Sequence, residues 1–501
     1  MNGPTGWLTL QMIKKVMLTI IALISLGLTK LIFNAVVIRR FGPELLGNID
    51  LAISTAFFLS LFASAGLSPA ATKYIAQYAG KGDEKSAKRS FTIALFLSLI
   101  VSAIISLLMF ANSKQIAQLV GGKQVWFAKG SLVVFLYSSY LFCKSAYFGM
   151  NKVEAYVKNE VLADSVFFLT LFIFVFFNLT SSLVMPFILL YSIFLLCALH
   201  AQRSWISIPL CTKTSEIKRS IKEILSFSSI ALVGSVSSMG GRYISTMLTG
   251  TYASVKEVGY YSVALSAILP LYLLSRAVSM VLLPSMSRYY GKEDYASIGN
   301  TLDTSTRWLL IVSSLMCGIA VIFGRFMFSI VSGTDSQVGI LTLQILIISA
   351  YMSINGVPSI NTLSGTKYVH IPNIAAPIAL ALAIISWRVL IPSYGMIGTA
   401  LGLFVLTATN TSISMFFAQK LFFQKLFRNL KIVLFSGCVL VSSLLCGACL
   451  FRSPSYSQIA SGLVFTSVFI AIYKNELYTI GQRVWIEMTT KRGELELETS
   501  R

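Results

Sequence analysis

An all-α polytopic membrane protein is the fold class this sequence predicts, and three observations predict it. Of 501 residues, 55% are hydrophobic and only 12% charged, against about 25% charged in a soluble domain; the chain lacks the polar surface to face water. Apolar runs of roughly 18 to 25 residues, enough to cross about 30 Å of hydrocarbon, recur from one end to the other. A stretch in the first half, "SPAATKYIAQYAGKGD" at 68–83, is echoed by "LPSMSRYYGKED" at 283–294.

The first apolar run, 16–37, follows Lys14 and Lys15 as a signal peptide's core would, yet continues to Val37 without a small-residue cleavage site, so it reads as the first span. Spans follow at 46–67, 91–111 and 131–150. The run 161–200 is too long for one crossing and carries the turn residues "NLTSS", which divide it into 161–178 and 180–200. The second half reads 225–249, 259–282, 308–324, 338–360, then 372–391 and 395–418 parted by "IPSYG". Spans at 431–451 and 456–473 bring the total to about fourteen.

An even number of spans puts both termini on one side. The amino terminus, every second loop and the carboxyl tail hold about 28 of the 40 Lys and Arg, and the opposite loops about nine. The positive-inside rule therefore makes both termini cytoplasmic and accounts for the net charge of +21 without nucleic acid as a partner. Cysteines mostly inside apolar runs and two distant histidines, His200 and His370, offer no metal-ligand spacing. No nucleotide loop or catalytic triad stands in the short polar segments, so neither ATP hydrolysis nor other enzymatic chemistry is expected.

The echo is part of a longer repeat. Gly47 and Gly259 open corresponding helices, "ELLGNIDLAIS" and "KEVGYYSVALS", 212 residues apart, and Pro69 and Pro284 lie 215 apart. Six spans separate each element from its partner, and six is even, so the halves are parallel repeats about an axis along the membrane normal. The expected organisation is an N-terminal lobe at 1–200, a basic linker at 201–224, a C-terminal lobe at 225–418, two added helices within 419–474 and a tail at 475–501.

With Lys144 to Lys158 counted among the inner-loop cations and the other span-end charges with their loops, three cations remain, and these fall within predicted spans. Lys30 and Arg242 sit at the repeat offset, which gives each half a cation at equivalent depth, and Arg276 lies in the eighth span opposite Ser64. A charge at a lipid-exposed bilayer centre costs roughly 2.5 to 3.5 kcal/mol, so all three suit an interior cavity, although long side chains near a helix end can also snorkel to the headgroups. Lys73 and Arg288, at the inner ends of the second and eighth spans, are further candidate substrate-binding cations, with Tyr74 and Tyr289 beside them as residues for a cavity mouth, and the two stretches read as paired gate elements. Asp50, Glu160 and Asp164 all fall near predicted span ends, so no central carboxylate is expected. A cationic cavity without an acid fits an anion, phosphate foremost.

Fourteen spans as two halves plus two, with "RRFGPELLGNIDLAISTAFFLSLFASAGLSPAATKYIA", its echo "VGYYSVALSAILPLYLLSRAVSMVLLPSMSRYYGKED" and "NTLSGTKYVHIPNI", resemble the polysaccharide-transport, or Wzx-type, flippases of the multidrug/oligosaccharidyl-lipid/polysaccharide (MOP) exporter superfamily. The resemblance covers nearly the whole chain; its most specific parts are the Phe-Gly-x-x-x-x-Gly opening and the small-Gly-x-x-Pro stretch. It implies two lobes in a V around a cavity that opens alternately inward and outward in the inner membrane. It implies as cargo a polyprenyl-phosphate-linked glycan whose pyrophosphate meets Lys30, Arg242 and Arg276. No bound cofactor is implied; coupling to a Na⁺ or H⁺ gradient is open. Partners in that setting are membrane lipids and a glycan polymerase or other assembly proteins. Two alternatives stay open: a lipid II flippase of peptidoglycan synthesis, which shares the fold and a cationic cavity, and a cation-coupled multidrug or metabolite antiporter.

Overall fold

A computed structural model describes residues 27–64, 66–206, 214–422, 437–439, 441–442 and 457–474. The described chain is helical, without a strand among the described residues. The first half runs α1 (27–41), α2 (Pro43–Ser64), α3 (Leu67–Gly80), α4 (Glu84–Ala111), α5 (Ser113–Val120), α6 (Gln124–Gly149), α7 (Val153–Phe176) and α8 (Met185–Gln202). The second repeats that order as α9 (Thr214–Tyr252), α10 (Val255–Ala267), α11 (Leu271–Gly291), α12 (Tyr295–Ile322), α13 (Gly324–Ser332), α14 (Gln337–Ser364), α15 (His370–Tyr394) and α16 (Met396–Phe422). A further helix, α17 (Ser457–Lys474), packs Phe465 and Phe469 against α12.

Ten of the described helices are long and apolar enough to span a membrane, twelve when each bent pair counts as one crossing. The fourteen expected spans include the first, of which 27–41 is described, and the thirteenth, which lies mostly outside the described residues, as do the centre of the linker and the tail at 475–501. The outward faces match lipid. On α4, Phe96, Ile100, Ile104 and Leu107 are each more than half exposed at helical spacing, and Leu169, Phe172 and Phe176 repeat this on α7, a display that water would penalise and hydrocarbon does not. This is a multi-pass membrane protein.

Turn chemistry sets the breaks. Between α7 and α8 the "NLTSS" segment forms a single 3₁₀ turn after Asn178, whose φ is +54°. Gly395, with φ +55°, separates α15 from α16, a backbone region glycine enters without a Cβ clash. The echoed stretches differ from a simple loop at a helix end. From Leu67 the chain of the second span is helical as α3 through Gly80, so Lys73 and Tyr74 are helical, and the eighth bends by 47° between α10 and α11. The loops after them end alike: Asp83 caps α4 by accepting from the Ser86 amide and Asp294 caps α12 by accepting from the Ser297 amide, each at 3.0 Å.

The halves meet most closely where α2 crosses α10, at the predicted outer end. A Cβ on Gly47 would collide with the Val255 carbonyl, and one on Gly259 with the Pro43 carbonyl. Val255 lies 212 residues after Pro43, as Gly259 does after Gly47, so one contact is made twice across a two-fold. Only glycine lets the two backbones approach this far.

Candidate functional site

Directly below that crossing lies a cavity of about 550 Å³, lined by α1, α2, α6, α8, α9, α10 and α11, within the roughly 300–1,000 Å³ usual for small-molecule sites. Lys30, Arg242 and Arg276 all line it. The repeat placed the first two at equal depth because α1 and α9 are equivalent helices flanking the two-fold.

Their surroundings differ. The Lys30 ammonium pairs with one carboxylate oxygen of Asp50, whose other oxygen accepts a hydrogen bond from the Ser262 hydroxyl of α10. Ser262 is the repeat equivalent of Asp50, so this carboxylate sits on the seam between the halves. The Asn34 amide donates to the Ser262 carbonyl at 3.0 Å and ties α1 to the same place. Arg242 has no acid in ion-pair reach among the described residues: its guanidinium lies 4.1 Å over the Tyr272 ring, a cation–π contact that engages the group's face and leaves its N–H edges without a partner among the described residues. Arg276, on α11, has no carboxylate within ion-pair distance among the described residues either.

The absence of a central carboxylate, expected from the sequence, is corrected here. Asp50 lies two turns inside α2 and is 3% exposed, because that helix begins at Pro43 rather than 46. Helix α7 begins at Val153 rather than 161, which carries Glu160 and Asp164 into the bundle, 2% and 3% exposed. There the Tyr140 hydroxyl donates to Glu160 at 2.9 Å, and the Thr29 hydroxyl to Asp164 at 3.0 Å. A fourth cation also belongs to the cavity. Lys144, grouped by sequence with the inner-loop cations, is on α6, lines the cavity and donates to the Tyr140 hydroxyl at 3.3 Å. It and Glu160 thus share one phenol, and the first half's charges are answered within that half.

One side of the cavity is aromatic and draws on both halves. Phe57 and Tyr137 stack with centroids 4.0 Å apart, Tyr191 stands 5.1 Å from Tyr137, and Tyr243 of α9 closes the row 5.6 Å from Phe57. The sequence marked none of these rings, since an aromatic within an apolar span is indistinguishable from packing.

Lys73 and Arg288, expected to bind substrate, and Tyr74 and Tyr289, expected at the cavity mouth, do not line this cavity. Lys73 places its ammonium 4.2 Å over Phe227, and the Tyr74 hydroxyl donates to the Glu223 carbonyl at 3.2 Å, so both dock α3 on the start of α9. Arg288 is exposed in the last turn of α11, and Tyr289 packs against the Met286 cluster. Helix α3 packs on α9, α6 and α4, and α11 on α14 and α12; the structure does not bring the echoed stretches together.

The MatE family model matches residues 19–148 and 230–390, one stretch in each half and together more than half of the chain. The chain belongs to the MatE family. No curated protein matches it in sequence. Among solved structures, the MatE chain is similar to the lipid II flippase MurJ in an inward closed conformation, with a TM-score of 0.72 at 16% identity over 93% of this chain and 100% of that one. It is similar to an inward-facing multidrug resistance MATE transporter of the MOP superfamily, with a TM-score of 0.64 at 15% identity over 81% and 95%. A mutant Vibrio cholerae MATE transporter matches with a TM-score of 0.60 at 16% identity over 82% and 96%. At these identities the likeness establishes the fold, that of the MOP transporters.

Proposed function

We propose that this MatE protein flips a polyprenyl-(pyro)phosphate-linked oligosaccharide, such as a surface-glycan precursor, from the cytoplasmic to the outer leaflet of the inner membrane by alternating access, with both termini cytoplasmic. One observation carries the reading: Arg242 and Arg276 line one cavity with no carboxylate in ion-pair reach among the described residues. Moving a bare phosphate through hydrocarbon is prohibitive. Two guanidinium groups in a sheltered cavity substitute for its hydration with planar, multi-donor contacts. The prenyl chain stays in lipid while the head crosses. Lys30 enters differently from the arginines: Asp50 neutralises it in this conformation, so it meets the anion only if the pair opens.

The test is leaflet accessibility of polyprenyl-linked glycan in cells depleted of the protein and complemented with wild type or with Arg242→Ala plus Arg276→Ala. Accumulation on the cytoplasmic face that only wild type clears is the expected result. Clearance by the double variant overturns the anion site, and no accumulation on depletion overturns the flippase reading. A second reading, cation-coupled export of a drug or metabolite, is favoured by Asp50, Glu160 and Asp164, because buried acids in spans serve coupling ions. It predicts export that follows a Na⁺ or H⁺ gradient and survives loss of both arginines.

A further inference from the structure

The aromatic wall is more than packing requires. The repeat supplies an internal control, since the same helices recur with the same neighbours. Phe57 corresponds to Leu269 and Tyr243 to Leu31 at the 212-residue offset. Leucine therefore satisfies the fold at both positions, and the aromatic choice on one side of the cavity asks for a different reason.

Hydroxyls sharpen the point. A ring chosen for bulk would be phenylalanine, because a buried phenol needs a partner. Tyr191 is 3% exposed, lines the cavity, and its hydroxyl has no hydrogen-bond partner among the described residues. Among the described residues the hydroxyls of Tyr137 and Tyr243 meet only each other, at a long 3.4 Å. These groups retain capacity to donate to and accept from a ligand rich in hydroxyls. A pyranose ring offers that combination: one face of axial C–H bonds, slightly positive, that suits the negative face of an aromatic ring, and a rim of hydroxyls.

Position supplies the last element. Tyr243 follows Arg242 directly on α9, with Cα atoms about 3.8 Å apart, and both side chains line the cavity while turning to different partners: Arg242 to Tyr272, Tyr243 to Phe57 and Tyr137. In a prenyl-pyrophosphate glycan the first sugar is bonded to the phosphate itself, so a site for that sugar must adjoin the site for the anion.

We infer that Phe57, Tyr137, Tyr191 and Tyr243 form a sugar-stacking subsite that receives the first pyranose ring of the cargo beside Arg242 and Arg276. The inference rests on the flippase reading and deepens it: the phosphate site takes any lipid of this class, and the aromatic subsite distinguishes a glycosylated carrier from the spent one.

The experiment compares two probes on the full chain in nanodiscs, undecaprenyl pyrophosphate and undecaprenyl-pyrophosphate-linked N-acetylglucosamine, with binding read by native mass spectrometry. The measured quantity is the ratio of their affinities. In wild type the sugar is expected to tighten binding about five- to tenfold. Phe57→Leu and Tyr243→Leu, which install the residue found at the equivalent repeat position, should bring the ratio close to one. Tyr191→Phe, which removes one oxygen and keeps the ring, should lower it part-way and covers the case in which a leucine variant does not fold. A wild-type ratio near one overturns the inference, as does a ratio unchanged in every variant, and in both cases the flippase reading stands if the bare carrier binds and Arg242→Ala plus Arg276→Ala weakens it. Failure of wild type to bind either probe removes the flippase reading and the inference with it.

Discussion

The two halves of this molecule share a skeleton and differ in how they hold charge. In the first, Lys30 is paired with Asp50, and Lys144 shares the Tyr140 hydroxyl with Glu160. In the second, Arg242 lies over an aromatic ring and neither it nor Arg276 has an acid within ion-pair distance among the described residues. The equivalent positions tell the same story: Lys30 answers to Arg242, but Asp50 to Ser262 and Ser64 to Arg276. A duplicated helical frame thus keeps its backbone contacts, as the reciprocal glycine crossing does, while the side chains facing the cavity diverge. In the first half the cavity cations are met by an acid or by a phenol shared with one; in the second they keep positive charge for a ligand.

The strongest way to break this comparison is to remove the cations one at a time. Lys30→Met strands a carboxylate that is 3% exposed. Breaking a buried pair costs about 3–5 kcal/mol; since the lysine side chain keeps 25% exposure, the lower end, about 3 kcal/mol, is expected, and adding Asp50→Asn should recover most of it. Arg242→Met strands nothing and should cost about 1 kcal/mol through the lost cation–π contact. Thermal unfolding of the four proteins in detergent checks this, and equal losses for the two single variants would erase the distinction between the halves.

The second test addresses what the halves share. Gly47→Leu and Gly259→Leu each force a side chain into a carbonyl of the other half. Each should destabilise the closed crossing by about 1–3 kcal/mol, and the reciprocity predicts similar losses of thermal stability. A large inequality would mean that the two contacts are not equivalent.

The smallest effect belongs to the paired caps. Hydrogen bonds from Ser86 and Ser297 hold the carboxyls of Asp83 and Asp294 below the usual carboxylate range. Each cap therefore contributes stability above the unfolded value, about 4, and loses it as pH falls through the lower folded value. Asp83→Ala with Asp294→Ala should lower the melting temperature slightly at pH 7, and the gap to wild type should close in acid. Melting curves across that range test it, and a gap unchanged by pH would show that the carboxylates are not acting as caps.

Much of this arrangement was legible in the residues. Turn residues inside over-long apolar runs placed the breaks at 178–182 and at Gly395, because a chain that has crossed the bilayer must turn. The 212-residue offset between Lys30 and Arg242 placed both at equal depth. Less legible were helix starts. Moving two of them a few residues toward the amino terminus carried Asp50, Glu160 and Asp164 from span ends into the interior and ended the expectation of an acid-free cavity. Lys144 was hidden for a related reason, since a lysine near a basic helix end looks like one more inner-loop charge.

By itself, the sequence determined that the protein lives in a membrane, how its spans follow one another, and that they come in two similar sets. Those properties depend on local composition and on the thickness of hydrocarbon. Only the tertiary structure decided which charges cancel and which remain. In soluble helices an apolar stripe identifies the buried face; in these spans lipid and neighbouring helices are equally apolar, so the pattern of hydrophobicity does not say which way Asp50, Lys144 or Tyr243 points. That direction came from the packing of α2 against α6, α9 and α10, and with it the cavity's chemistry.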